Sequence, residues 1–300
     1  MRLTLEIPAA PDGPQAYAIE PGRETRVGRS APSEIVLSWD PALSRQHFAV
    51  ACDGQSCRLR DLKSTHGTVV NETPADEAGL ELKDGDQVTA GGTLFRVHLR
   101  ETLGSGASDG EPIPPAAEAL RALKEPLYAV LDAARDPLVL GLLMQSGERF
   151  QSLYEGPKAQ RYAGIAPYLV ALPKDSQFLV QLVRMGWGKS WGIFLACTRP
   201  FEEVRKHLRH FLTVQLEGGK SVLFRFYDPR VLRPFLPTCK GPELAAFFGP
   251  LKGLFAEAGM PEGAVLGFTL ESSGRLLRSD LAADQLGGGT PCESSPGTRV

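Results

Sequence analysis

Residues 1–99 show short apolar runs that alternate with polar positions and are separated by turn residues. Strand-like runs of this kind occur at 34–37, 48–51 and 56–62. Pro-Asp-Gly, Pro-Gly, Asp-Gly and Gly-Gly sequences lie between them and favour reversals of the chain. Because the turns are frequent and no long helical period occurs, the pattern predicts an all-β sandwich over residues 1–99.

Residues 118–270 show a different pattern, in which apolar runs typical of buried strands alternate with segments of helical period. We predict strands at 127–131, 167–172, 193–196 and 221–226, and helices at 137–144, 175–185 and 201–211. A further helix begins near residue 118 and is interrupted by Pro126. This alternation predicts an α/β or α+β domain.

The segment between the two domains and the end of the chain have loop-like compositions. Residues 100–117 are rich in Gly, Ser, Asp and Pro, which predicts a flexible linker that stiffens where the prolines fall. We therefore expect the two domains to reorient freely. Residues 271–300 are rich in Ser and Gly, and we expect a mostly disordered tail.

Composition and charge narrow the class of protein. The chain has 300 residues, enough for two domains with separate cores, and its net charge of -2 gives no general attraction to nucleic acid or anionic membranes. Apolar stretches such as 138–144 are far shorter than the ~20 residues that span a bilayer. The segment 1–10 lacks the apolar core of a signal peptide. We expect a cytoplasmic protein without nucleic-acid binding or membrane insertion.

The five cysteines include no CxxC pair and no His/Cys set with metal-ligand spacing. Cys52 and Cys57 flank Asp53 and Gly54, a hairpin turn signal, so they can face each other across two strands. In a reducing compartment we expect these two to remain thiols. We expect neither a metal site nor another cofactor.

Three polar clusters lie between the strands of the first region, at 27–30, 44–47 and 61–71. In a sandwich, this spacing gathers the loops at one end. The clusters resemble those of a forkhead-associated (FHA) domain, a β-sandwich module that binds phosphothreonine peptides. The resemblance covers residues 1–99 and includes the closing strands between 82 and 97.

The FHA resemblance implies specific roles for the residues of these clusters. Those matching positions of the ligand site are Arg29, Ser44, Arg45, Thr65, His66 and Asn71, of which Asn71 either orients its loop or touches the peptide. Those matching structural positions are Gly28, His47 and Gly67. A guanidinium on Arg29 and hydroxyls on Ser44 and Thr65 suit a phosphate, whereas His66 stands where the family usually has an Asn that holds the peptide backbone. The alternative is that the clusters only build tight turns.

The second region carries its own set of distinctive stretches: Leu127–Asp132, Ser152–Tyr154, Ala166–Val170, His207–Arg209 and Phe224–Arg230. They resemble the domain-of-unknown-function family of type VI secretion effector chaperones, also called Tap or TEC adaptors. The resemblance covers about residues 120–255. It implies binding of a secreted effector and its loading onto the secretion spike. The roles of its most specific motif stay open: Arg225, Tyr227, Asp228, Pro229 and Arg230.

Signals for enzyme chemistry are weak. Residues 188–190 read Gly-Lys-Ser, but Val183 stands where a phosphate-binding P-loop requires glycine. His207 and His210 are three apart on a predicted helix and lack a third ligand, so a solvated basic helix face is the better interpretation.

Asp132 and Asp228 both follow apolar strands, where a carboxylate more often caps a turn or helix than acts in catalysis. Arg225 can pair with a buried carboxylate. The sequence therefore favours a non-catalytic two-domain adaptor, whose FHA domain binds a threonine-phosphorylated protein for regulation. An enzyme that the FHA domain targets to a phosphoprotein or envelope substrate stays open, as does a phosphate-independent dimerisation surface.

Overall fold

The computed structural model describes residues 2–19, 21–100, 112–215, 219–259 and 264–281. In its first domain the alternating apolar positions form short strands, as predicted. The strands are β1 (Arg2–Ile7), β2 (Gln15–Ile19), β3 (Glu24–Gly28), β4 (Ile35–Val36), β5 (Phe48–Cys52), β6 (Cys57–Asp61), β7 (Thr68–Val70), β8 (Thr73–Ala75), β9 (Leu80–Glu81), β10 (Gln87–Ala90) and β11 (Thr93–Arg100).

These strands form two sheets that enclose one core. One sheet has the order β2-β1-β11-β10-β7-β8, and the other has the order β4-β3-β5-β6-β9. Leu3, Phe48 and Phe95 are fully buried between them, and the two phenylalanine rings meet edge to face at 5.3 Å. The predicted sandwich is confirmed.

The second domain packs helices against an antiparallel sheet of order β20-β19-β18-β15-β12-β14-β13. Its strands are β12 (Leu127–Asp132), β13 (Phe150–Ser152), β14 (Pro167–Leu172), β15 (Gly192–Cys197), β16 (Thr213–Gln215), β17 (Ser221–Leu223), β18 (Leu251–Glu257), β19 (Val265–Leu270) and β20 (Leu276–Leu281). Its helices are α1 (Pro115–Arg121), α2 (Leu138–Gln145), α3 (Gly156–Arg161), α4 (Gln177–Gly186), α5 (Phe201–Arg209), α6 (Pro229–Phe235) and α7 (Gly241–Phe248). Because neighbouring strands are antiparallel, the domain is of the α+β kind. Across the described ranges, no helix is long and apolar enough to cross a membrane.

The two domains share one continuous sheet. Strand β2 of the first domain pairs with β13 of the second, with Ala16 opposite Phe150 and Gln15 opposite Gln151. This pairing joins the two sheets into a single sheet of 13 strands. Ala16 is 4% exposed and belongs to the hydrophobic core of the second domain. The expectation that the domains reorient freely is therefore wrong.

Polar contacts reinforce this junction. They include Thr4 Oγ1 to Gly147 O at 2.5 Å, Gly156 N to Asp12 Oδ1 at 2.6 Å, and Arg2 Nη1 to Glu148 Oε2 at 3.1 Å. The guanidinium of Arg149 lies over the Tyr17 ring of the first domain and the Phe201 ring of the second. A composition typical of a linker could not reveal these contacts, because they arise between residues far apart in sequence.

Two predicted boundaries differ from the structure. Within the predicted linker, Pro115 is already the first residue of α1, where a proline is well tolerated. Within the predicted tail, β20 pairs with β19 as an edge strand that has no buried side chain, so no buried apolar run marked it in the sequence. The rest of the predicted linker, 101–111, and of the predicted tail, 282–300, lies outside the described residues.

Cys52 and Cys57 form a disulfide, so the expectation that they remain thiols is wrong. They are paired directly across β5 and β6, with their Cα atoms 4.1 Å apart. Asp53 closes the turn between them, because its Oδ1 accepts the N–H groups of Gln55 and Ser56. The predicted hairpin thus brings the sulfurs together.

Candidate functional site

One end of the first domain carries an open cleft of about 740 Å³. It is formed by the loops that join β3 to β4, β4 to β5 and β6 to β7. The lining residues are Arg29, Ala31, Pro32, Pro41, Ala42, Leu43, Ser44, Arg45, Gln46, Leu62, Thr65 and His66. The three polar clusters of the sequence therefore meet at one site, and none of the lining residues is acidic.

Arg29 stands directly after β3 and is exposed in the cleft. Its backbone N–H donates to the Ser44 carbonyl oxygen at 2.9 Å, which fixes the start of its side chain. Among the described residues its guanidinium has no hydrogen-bond or ion-pair partner. A Cβ on Gly28 would lie only 2.2 Å from the Arg45 carbonyl oxygen, so glycine allows β3 to pack this closely against the neighbouring loop. A fixed backbone thus presents a guanidinium with free donors.

Ser44 and Thr65 place two hydroxyl groups side by side. The Thr65 N–H donates to Ser44 Oγ at 3.0 Å, and the two hydroxyl oxygens are 3.3 Å apart. Because Ser44 Oγ accepts from Thr65, its own hydrogen remains available as a donor. The pair can therefore offer hydroxyl donors to an anion that also meets Arg29.

His47 is buried beneath these loops and joins them. Its Nδ1 accepts the Ser44 N–H at 3.0 Å, and its Nε2 lies 3.0 Å from the Gly67 carbonyl oxygen. A carbonyl can only accept, so the ring is neutral with its proton on Nε2. Gly67 has a φ of +75°, a conformation that favours glycine. Both residues therefore support the cleft and do not line it.

Asp61, to which the sequence analysis gave no role, organises the loop that carries Thr65. Its Oδ1 accepts from Ser64 Oγ at 2.7 Å and Thr68 Oγ1 at 2.6 Å, and its Oδ2 accepts the Ser64 N–H at 2.8 Å. Burial raises the pKa of Asp61, but the hydrogen bonds from Thr68 and Ser64 outweigh it and hold the pKa below its ordinary value. The serine three positions after this aspartate, Ser64, is a local sequence signal that could have revealed this turn.

Arg45 and His66 complete the polar lining. Arg45 is exposed, and within the described ranges its guanidinium also has no partner. His66 Nδ1 lies 3.0 Å from the Ala42 carbonyl oxygen, so this nitrogen carries a proton and donates. Only its Nε2 is left to meet a peptide, whereas the asparagine usual in the family offers both a donor and an acceptor atom. This replacement changes the hydrogen bonds available to a bound peptide.

Asn71 is not among the residues that line the cleft, and its contacts fit the loop-orienting role that the resemblance implies for it. Its Nδ2 donates to Asp86 Oδ1 at 2.6 Å, and its Oδ1 accepts the Gln87 N–H at 2.8 Å. Its φ of +45° places it in the turn between β7 and β8. Both ends of the amide thus tie this turn to β10.

Asn71→Ala is expected to lower the free energy of unfolding by about 1 to 2 kcal/mol, because it removes two side-chain hydrogen bonds. Phosphothreonine-peptide affinity should change by less than about twofold, since distant sites act independently. Urea denaturation and calorimetry measure the two quantities. If the variant loses peptide affinity but keeps its stability, Asn71 contacts the bound peptide.

In the second domain, the conspicuous Phe224–Arg230 motif surrounds a buried ion pair. Asp132, at the end of β12, is 1% exposed and pairs with the Arg225 guanidinium. Burial raises the pKa of the Tyr154 and Tyr227 hydroxyls, which share a hydrogen bond nearby. The predicted pairing of Arg225 with a buried carboxylate is confirmed.

The remaining motif residues fix the beginning of α6. Asp228 is the N-cap, and its Oδ1 accepts the Arg230 N–H at 2.9 Å. Arg230 Nη2 donates to the other carboxylate oxygen at 2.6 Å. Burial raises the pKa of Asp228, but these Arg230 contacts outweigh it and hold the pKa below its ordinary value. Pro229 is the first helical residue, where its missing N–H has no helical partner to lose.

The segment 188–190 is occupied by an internal carboxylate. Glu257 Oε2 accepts the Gly188 N–H at 2.6 Å, and Oε1 accepts from Ser190 Oγ at 2.9 Å. These are the donors that a P-loop would offer to a phosphate. The rejection of a nucleotide site here is therefore supported by the geometry.

The two histidines of α5 have separate partners. His207 Nε2 lies 2.9 Å from the Phe247 carbonyl oxygen, and His210 Nδ1 lies 2.7 Å from the Lys206 carbonyl oxygen. Burial lowers the pKa of His207. In the part of the chain that the structure describes, no group of three or more His, Cys, Asp or Glu residues could hold a metal ion.

A sandwich whose end loops present unpaired arginines and a hydroxyl pair is of the class that binds an anionic partner. Residues 25–91 match the family model of the FHA domain, and residues 127–246 match the family described as Domain of unknown function (DUF4123). Both resemblances recognised in the sequence are confirmed. FHA domains are modules that bind threonine-phosphorylated proteins.

Two FHA domain-containing proteins match part of the chain. The FHA domain-containing protein FhaA of Mycobacterium tuberculosis is 38% identical over 74 residues, which are 24% of this chain and 14% of FhaA. The FHA domain-containing protein At4g14490 of Arabidopsis thaliana is 30% identical over 90 residues, which are 30% of this chain and 23% of that protein. The chain thus spans less than a quarter of either relative.

Solved FHA domains also match this part. One, from work on phosphothreonine-dependent FHA domain interactions, is 31% identical, with 33% of this chain and 98% of that chain covered and a TM-score of 0.30. The FHA domain of a hypothetical Arabidopsis thaliana protein is 31% identical. The match covers 36% of this chain and 91% of that chain, with a TM-score of 0.32.

Proposed function

We propose that the cleft of the first domain binds a threonine-phosphorylated segment of a partner protein. The observation that carries this proposal is the unpaired guanidinium of Arg29 beside the hydroxyl pair of Ser44 and Thr65. A phosphothreonine brings close to two negative charges and three acceptor oxygens, which match these donors. Arg45 adds positive charge on the same wall, and His66 faces the residues next to the phosphothreonine.

Arg29→Ala is expected to weaken binding of a phosphothreonine peptide about ten- to a hundredfold, because a charge-assisted interaction is lost. Isothermal titration calorimetry against a phosphothreonine peptide library and its unphosphorylated form measures this effect. Arg23→Ala is the matched control, since it removes the same charge from an exposed arginine outside the cleft. Equal binding of phosphorylated and unphosphorylated peptides would contradict the proposal.

For the second domain, we infer an adaptor that recognises an effector of a type VI secretion system and helps to load it onto the secretion spike. The family match over residues 127–246 supports this inference. Loading precedes export, so we place the protein in the cytoplasm. The phosphothreonine site would then make loading respond to a kinase signal.

An enzymatic role finds less support in the pockets of the second domain. The pocket beside Trp187 and Trp191 holds only about 20 Å³, close to the space of one water molecule. Its one carboxylate, Glu257, already accepts two internal hydrogen bonds. Such a pocket suits packing better than substrate turnover.

The regulated adaptor is tested by affinity purification of the full chain and of its Arg29→Ala variant from cells with an active type VI system. Mass spectrometry should find the effector and spike protein with both, and a threonine-phosphorylated partner only with the unaltered chain. Recovery of neither effector nor spike protein would overturn the adaptor role while leaving the phosphopeptide site intact.

A further inference from the structure

Exposed and partly exposed cations cover buried carboxylates at the end of the second domain's sheet where β12 stops. We call these cations the basic face: Arg135, Lys189, Arg225, Arg230 and Arg233. The carboxylates beneath them are Asp132, Asp228 and Glu257, which are 1%, 2% and 8% exposed. Negative charge is therefore inside and positive charge outside.

The carboxylates are committed to internal partners. Asp132 pairs with Arg225, and Glu257 accepts from the Gly188 N–H and from Ser190 Oγ. The third carboxylate caps α6, as described above. A partner that approaches this end of the sheet thus meets the cations before these three acids. The partly exposed acid here, Asp136 next to Arg135, accepts the Leu138 N–H with its Oδ1 at 3.0 Å.

Two cations of the basic face keep spare donors. The Arg135 guanidinium has a long contact of 3.5 Å with the Lys189 carbonyl oxygen, and the Lys189 ammonium lies 5.4 Å above the Trp191 ring. Arg135 also lies near Asp228, whose pKa its charge helps to lower after the larger effects of burial and Arg230. Five cations against four carboxylates, Asp132, Asp136, Asp228 and Glu257, leave a local surplus of one positive charge in a chain whose net charge is -2.

Apolar side chains are exposed beside the cations. Leu138 begins α2 three residues after Arg135, and both Leu138 and Ile165 are 53% exposed. The Ala133 N–H donates to the Ala166 carbonyl oxygen at 3.1 Å, which holds the turn before α2 against the segment that carries Ile165. The surface therefore combines charge with apolar contact area.

We propose that the basic face binds an acidic segment of the partner protein that also carries apolar side chains. This inference rests on the proposed adaptor function and names the chemistry of its cargo. Arginine guanidinium groups bind carboxylates with two parallel hydrogen bonds, so a run of Asp or Glu residues fits them. The cations extend over three loops and α6, which suits an extended segment better than a single small anion.

The test measures fluorescence anisotropy of labelled peptides titrated with the full chain. The probe is a nine-residue peptide of glutamate and leucine, and a peptide with lysine in place of glutamate is its comparison. The glutamate peptide should bind, with an affinity that falls as salt is added, and the lysine peptide should not. The double variant Arg135→Glu with Lys189→Glu should weaken glutamate-peptide binding about tenfold or more.

The matched control is the double variant Lys124→Glu with Lys174→Glu, which reverses two exposed charges at the opposite end of β12 and β14. Binding of the glutamate peptide should stay within about twofold of the unaltered chain. If the reversed basic face lowers the thermal midpoint, Arg135→Gln with Lys189→Gln provides the same comparison without new charges.

The inference is overturned if the glutamate peptide fails to bind or binds both double variants equally. It is also overturned if a single-stranded oligonucleotide binds more tightly than the glutamate peptide, because the face would then suit nucleic acid. If the glutamate peptide fails to bind but the purification recovers effector and spike protein, only the proposed role of the basic face is rejected. If the glutamate peptide binds but the purification recovers neither effector nor spike protein, only the adaptor role is rejected.

Discussion

Replacing Ala16 with aspartate is expected to destabilise the second domain, although Ala16 lies in the first, by more than about 3 kcal/mol. Ala16 is buried opposite Phe150 within the second domain's core, so an aspartate there would bury a charge without a partner. Urea denaturation in a Trp39→Phe background measures the effect, because the fluorescence then comes from Trp187 and Trp191.

Ala18→Asp is the control for this experiment. Ala18 lies two residues further along β2, on the same side of the strand, beyond the part that pairs with β13, and it is only half-buried. It should shift the unfolding midpoint much less than Ala16→Asp. An unchanged second-domain midpoint for Ala16→Asp would show that the shared sheet contributes nothing to stability.

The shared sheet changes how the function of the chain can be dissected. Removing residues 1–99 would leave the edge of β13 unpaired and expose the core around Phe150, so a loss of cargo binding after deletion could reflect misfolding. Arg29→Ala leaves every backbone contact of the junction in place. It therefore separates the phosphate signal from the stability that the first domain supplies.

Much of the cleft could be predicted because its residues are specified locally. Gly28 and Arg29, the Ser44 loop and the Thr65 loop each follow a short strand, and a sandwich brings such loops to one end. Turn residues and strand alternation are short-range signals. The structure accordingly unites these clusters at the positions that the FHA resemblance indicated.

What the sequence did not reveal depends on distant partners. Asn71 sits in a pattern shared with ligand-contacting residues, but its partners Asp86 and Gln87 belong to another hairpin. Strand β13 has only three residues, and its pairing with β2 defines it more than its own composition does. The three strands after residue 250 were missed because two contain an interior glycine and the third lies at the edge of the sheet without a buried side chain.

The buried ion pair of the second domain was predicted only in part. The sequence indicated that Arg225 pairs with a buried carboxylate, but it did not identify that carboxylate. Asp132 and Arg225 are separated by 93 positions in the chain. Only the packing of the α6 approach segment against the end of β12 brings them together. Their energetic role can be isolated by removing the charges in turn.

Arg225→Met is expected to lower the free energy of unfolding by about 3 kcal/mol, the smaller end of the range for breaking a buried pair, because Arg225 is itself partly exposed. The cost arises from leaving the Asp132 carboxylate buried without its counter-charge. Adding Asp132→Asn to this variant should recover most of the loss, since the uncompensated charge is then absent while an amide oxygen can still accept the Ala134 N–H. Urea denaturation of both variants measures the difference. If the second substitution destabilises the protein further, Asp132 acts through contacts other than its charge, and the motif around Arg225 has a different structural basis.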